Sequence, residues 1–199
     1  MPSSPRTPRI TRESLLTLEA YAKERTAFRA RAIAHKRTRT VSVGEHVTLL
    51  FEDELTIRYQ IQEMLRIEKT FEEAGIQDEL DAYDPLVPDG TNLKATMLVE
   101  YEDSDERRRA LERLRGIEDH VWLRVGGGAP VHAISDEDLD RSNEQKTSSV
   151  HFLRFELDVP MIAGFKAGQR VVVGVDHPEY RAEVALAENV RAALAADFA

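Results

Sequence analysis

With 199 residues, 42% of them hydrophobic and 32% charged, the chain is long enough for one core and apolar enough to fill it. It has no cysteine, which excludes a disulfide framework, a thiol nucleophile and cysteine ligation of zinc or an iron-sulfur cluster, so any metal must be held by His, Asp or Glu. The net charge of −9 is uneven: residues 1–40 carry ten basic and three acidic side chains, a net +7, leaving −16 on an acidic body that argues against broad nucleic-acid binding.

Met1 to Ile10 hold three prolines, two serines and no apolar run. They read as a flexible tail over residues 1–10, without a secretory hydrophobic segment or membrane anchor, so the expectation is a cytoplasmic protein. Residues 11–199 are expected to form one domain. From Thr11, a plausible cap, to about Lys36, the spacing of Leu18, Tyr21, Phe28 and Ala32 predicts a long amphipathic helix. TVSVG and HVTLLFED alternate around Gly44 and predict a hairpin with Val47, Leu49 and Phe51 on one side. A second helix is expected from about Glu54 to Glu73, with Ile57, Ile61, Met64, Leu65 and Phe71 on its apolar stripe, and a short one to Tyr83.

DPLVPDG breaks regular structure, and NLKATMLVEY predicts a strand with Met97, Val99 and Tyr101 on one face. A charged helix from Asp103 turns Leu111 and Leu114 inward and ends at Gly116. HVWLRV and PVHAIS read as strands joined around Gly126, Gly127 and Gly128, a turn, since no helix follows with phosphate-loop spacing. An acidic stretch from Asp136 leads to the strand SVHFLRFEL, a short helix near Met161, the strand RVVVGV and an Ala-rich helix from about Glu188. Helices mixed with hairpin-linked strands predict an α+β fold on a mostly antiparallel sheet.

Several polar residues call for a role. Arg58, Gln62 and Arg66 are spaced four apart on one helix face, with Glu63 beside them. Glu68 projects onto the apolar stripe between Leu65 and Phe71, so burial is expected, which would require a proton, a metal or an arginine partner such as Arg154. Alternation puts His151 on the face of Leu153, Phe155 and Leu157, as a hydrogen-bonded core histidine or a metal ligand. His177 follows an apolar strand at a position where turn residues and binding residues both occur. His35 ends the first helix, where an imidazolium suits the dipole. Asp81, Asp84, Asp89, Asn92 and Lys94 gather at a turn whose spacing fits no calcium loop. No histidine has a glutamate three residues before it, which excludes the Glu-x-x-His pair of ferritin-like di-iron bundles, and zinc-helix, Walker, dinucleotide and nucleophile-elbow motifs are missing.

The segments LLFED, RYQIQEMLRIE, GIQDELDAYDPLVPDG, NLKATMLVEY, GIEDHVWLRV, KTSSVHFLRFEL and GVDHPEY, in this order from Leu49 to Tyr180, resemble the uncharacterised bacterial family named domain of unknown function 3501. The resemblance implies, by association only, work beside rubrerythrin-type proteins and iron-sulfur oxidoreductases, and it carries over no catalytic residue. Two functional expectations stand first. One is a non-catalytic accessory or binding protein of redox enzymes. The other is a metalloprotein or metalloenzyme holding iron, manganese or zinc through His151, His177 and Glu63. A nucleic-acid module built on residues 1–40 ranks third.

Overall fold

A computed structural model describes residues 10–137, 141 and 146–199. The expected tail falls on residues 1–9, outside the described residues, except for Ile10, which is buried. A 3-10 turn at Arg12–Ser14 precedes helix α1 (Leu18–Lys36), so the first helix starts later than Thr11. Its cap is Thr17, whose hydroxyl accepts from the Ala20 N–H, and it buries Tyr21, Phe28 and Ala32. Strands β1 (Thr40–Val43) and β2 (Val47–Phe51) form the hairpin, with Gly44 in the left-handed region that the tight turn requires.

Helix α2 (Glu54–Glu68) is capped by Asp53 and stops earlier than its apolar pattern suggests, because Lys69 turns left-handed at φ 55°. Two expectations fail there. Phe71 lies beyond the helix, 72% exposed, and Glu68 is exposed rather than buried. Then come α3 (Glu73–Tyr83), β3 (Asn92–Val99) and α4 (Ser104–Arg113), followed by a 3-10 turn at Ile117–His120. The chain continues through β4 (Val121–Val125), β5 (Val131–His132), β6 (Ile134–Ser135), β7 (Val150–Glu156), α5 (Val159–Lys166), β8 (Val171–His177), β9 (Tyr180–Ala185) and α6 (Glu188–Ala195).

The fold is α+β, with two antiparallel sheets where the sequence pattern led us to expect one. Their strand orders are β1-β2-β3-β7-β6 and β5-β4-β8-β9. Alternation gives each sheet an apolar inner face: Leu49, Phe51, Met97, Leu153 and Phe155 from the first join Val121, Leu123, Val173 and Val175 from the second in one continuous core. A smaller cluster, including Ile57, Ile61, Leu65, Ile76 and Leu80, binds α2 and α3 to the segment around Ile10 and Leu15. β5 and β6 belong to different sheets with only Ala133 between them, so the chain crosses from one sheet to the other there. Among the described residues no helix is long and apolar enough to cross a membrane.

Candidate functional site

The sheet crossing brings three acid and imidazole side chains together. Gly116, left-handed at φ 79°, follows α4 and caps the 3-10 turn that carries Glu118. Asp136 follows β6 directly and is itself left-handed at φ 44°, a conformation that aspartate tolerates better than most residues. Backbone strain of this kind concentrates where a side chain must be aimed. His151 comes from β7, which pairs with β6, and alternation turns it inward to 0% exposure.

One ligand atom from each of Glu118, Asp136 and His151 lies within 4.8 Å of the other two. His151 Nδ1 stands 2.5 Å from Asp136 Oδ2, while Asp136 Oδ1 accepts the Phe152 N–H at 2.9 Å, which fixes the carboxylate. On the other side of the ring, Nε2 lies 3.0 Å from the Ser148 carbonyl, 2.9 Å from Thr147 Oγ1 and 3.7 Å from Glu118 Oε2. The Thr147 hydroxyl donates to Glu118 Oε2 at 3.0 Å.

This wiring limits the chemistry. A carboxylate faces Nδ1 and a carbonyl faces Nε2, and neither group can donate. With Asp136 at Nδ1, Nε2 is left to the Ser148 carbonyl, the Thr147 hydroxyl or a metal cation. A hydroxyl activated by the imidazole would have to give its proton to Nε2, but Thr147 directs its proton at Glu118 and is 1% exposed, with no surface for a substrate. The two faces of the ring also differ in spacing. Nδ1 meets one carboxylate at 2.5 Å, whereas Nε2 stands at hydrogen-bond distance, 2.9 and 3.0 Å, from two oxygens and 3.7 Å from Glu118 Oε2, a separation that two ligands of one ion can share. A carboxylate on the far nitrogen is the usual means of orienting a ligating imidazole.

Of the residues singled out in the sequence, only His151 belongs to this group. Glu63 is engaged elsewhere: the Tyr21 hydroxyl donates to it at 2.6 Å, Arg25 grips both its oxygens at 2.8 and 2.9 Å, and Arg66 adds a contact at 3.3 Å. The Arg25 bonds, followed by those from Tyr21 and Arg66, outweigh partial desolvation and hold its carboxyl at about 2. His177 lies on β8 in the other sheet, buried, with Nε2 against the Arg115 carbonyl and Nδ1 accepting the Glu179 N–H.

The polar cluster on α2 also disperses. Arg58 pairs with Glu54, Arg66 with Glu63, and Gln62 is buried, accepting the Leu16 N–H. Arg154 pairs with Glu137 and Glu156, not with Glu68. His35 joins Asp53 at 2.5 Å, beside the buried Arg39 guanidinium that also meets Asp197. After the 3-10 turn at Asp84–Leu86, Asp89 accepts from Thr91, Lys94 donates to the Pro85 carbonyl and Asn92 donates to Glu156, as turn formers do.

Sequence reasoning missed Glu118 and Asp136. The available signal was slight: an acid two residues after Gly116, and an acid directly after a short strand.

Compared with known proteins, the chain matches over residues 9–198 a family model described as "Protein of unknown function (DUF3501)". It is 60% identical to a protein of unknown function from Burkholderia pseudomallei K96243 whose crystal structure has been solved. The two agree with a TM-score of 0.92 over 96% of this chain and 100% of the other. No curated protein matches.

Proposed function

The chain belongs to the DUF3501 family, and from the buried Glu118, Asp136 and His151 group we propose that it is a binding protein that holds one divalent metal ion through a histidine and oxygen ligands. The observation that supports this is the convergence of Glu118, Asp136 and His151, whose ligand atoms all lie within 4.8 Å of one another, with Glu118 Oε2 3.7 Å from His151 Nε2. Asp136 then orients the ring from Nδ1. One nitrogen among several oxygens suits manganese, iron or zinc and disfavours soft copper(I). Burial of the whole group favours storage or a structural role over turnover, since a catalytic ion keeps an open position.

We assign the protein to the cytoplasm as an accessory of rubrerythrin-type and iron-sulfur redox enzymes. What supports the redox role is the family resemblance. A second reading, an imidazolium held between two carboxylates with no ion, is favoured by the short contact between His151 and Asp136.

Elemental analysis of protein purified without a histidine tag, after exposure to Mn(II), Zn(II) and anaerobic Fe(II), separates the two. The metal reading requires a single equivalent per chain, lost in Glu118→Gln and His151→Asn while both variants still melt cooperatively. A wild-type chain that retains no metal after each exposure leaves the imidazolium reading.

A further inference from the structure

A cleft of about 780 Å³ opens at one end of the first sheet and takes none of its lining from Glu118, Asp136 or His151. That volume is in the range of small-ligand sites. Strand pairing supplies an apolar floor: β3 and β7 set Leu98 opposite Val150, and alternation turns both half-buried side chains away from the core that takes Met97 and Val99.

One wall is aromatic and held in place. The His46 and Tyr101 rings stack with centroids 3.8 Å apart and 17° between their planes. His46 Nδ1 donates to the Glu100 carbonyl at 2.9 Å, the His46 backbone N–H donates to the Tyr180 hydroxyl at 3.1 Å, and that hydroxyl donates to the Val43 carbonyl at 2.6 Å. The turn closes this way because Gly44 is left-handed at φ 76° and lacks a Cβ that would run into the Tyr180 hydroxyl. With its Nδ1 proton committed to a carbonyl, the neutral His46 ring keeps a lone pair at Nε2.

The rim is acidic. Glu45, Glu100, Glu102 and Glu106 line the cleft against one arginine, Arg107, whose guanidinium donates to the Tyr101 carbonyl at 3.3 Å; four acids less one base leave three negative charges. Glu100 accepts from the Thr48 hydroxyl at 2.6 Å, and among the described residues none of the four exposed carboxylates forms an ion pair.

We propose that this cleft binds a free aliphatic polyamine, a chain with two or more ammonium groups. Leu98 and Val150 take its methylene stem, the aromatic wall takes one ammonium, and the rim carboxylates take the others. An anion would meet three net negative charges, and a purely apolar ligand would leave the carboxylates without partners. A cleft of this size holds a short polyamine whole, with no backbone amides to satisfy.

The test is calorimetric titration of the metal-free full chain with spermidine, so that the outcome does not depend on whether the buried centre holds an ion. One equivalent is expected to bind, weakened about 3- to 30-fold by Glu102→Gln combined with Glu106→Gln and about 2- to 5-fold by Tyr101→Leu. Removing the same charge at α3, with Glu72→Gln and Asp78→Asn, should leave the affinity unchanged. In the unmodified chain, spermidine should shift the NMR signals of His46 and Tyr101 before those of His120 and Tyr83, which reads the site without any substitution. Four results overturn the proposal: no saturable binding, an α3 variant that weakens binding as much as the cleft variant, NMR shifts that spare His46 and Tyr101, or a capped tri-lysine peptide that binds about tenfold tighter than spermidine, which would make the ligand a protein segment.

Discussion

Glu63 joins α1 to α2 and offers a clean test of how the packing is held. In Glu63→Gln the amide oxygen still accepts from Tyr21 and the shape is kept, so what disappears is the charge that Arg25 grips through two bonds. A carboxyl held at about 2 against an ordinary 4.5 favours the folded state by about 3 kcal/mol at neutral pH. Solvent screening at Arg25, whose side chain is 36% exposed, reduces this to about 2 kcal/mol. Because the folded value lies below the unfolded one, the contribution is complete above pH 4.5 and is lost as pH falls toward about 2. Urea unfolding of both proteins should therefore show a gap of about 2 kcal/mol at pH 7 that narrows below about 1 kcal/mol at pH 3. A gap below about 0.5 kcal/mol at pH 7, or one that does not change with pH, would refute an ionic link between the helices.

Two further substitutions probe the packing. Gly174→Ala drives a methyl into the Trp122 ring and should cost about 1 to 3 kcal/mol in a denaturant titration, accompanied by a change in tryptophan fluorescence. Glu68→Ala should change stability by less than about 0.5 kcal/mol, because the side chain is exposed beyond the last packed turn of α2; a loss of several kcal/mol in thermal unfolding would place it back in the core.

How much the sequence revealed depended on how local the cause was. Val47, Leu49 and Phe51, or His151, Leu153 and Phe155, alternate because one face of their strand is buried, and that period is written in the chain. The end of α2 was not legible, since the left-handed turn at Lys69 occurs within a run whose apolar spacing continues to Phe71. Gln62 looked like a surface residue because its partner, the Leu16 backbone, lies 46 residues away. β9 escaped notice because its alternation rests on Ala182 and Val184, too small to stand out, and the second sheet went unseen because strand patterns do not name their partners.

At the site, His151 was visible through its apolar neighbours. Glu118 and Asp136 were not: each sits in an irregular acidic segment, GIEDH or ISDED, where only the folded backbone decides which acid turns inward. Glu63 had the right chemistry for a ligand and two arginines within reach that claimed it first.

The most direct test of the metal reading is anomalous X-ray diffraction from crystals grown with Mn(II) or Zn(II), recorded on both sides of the metal's absorption edge. The account predicts an edge-dependent peak about 2.0 to 2.2 Å from His151 Nε2 and in contact with Glu118. Well-ordered density for His151, Glu118 and Asp136 with no anomalous peak between them, at saturating metal, would contradict it.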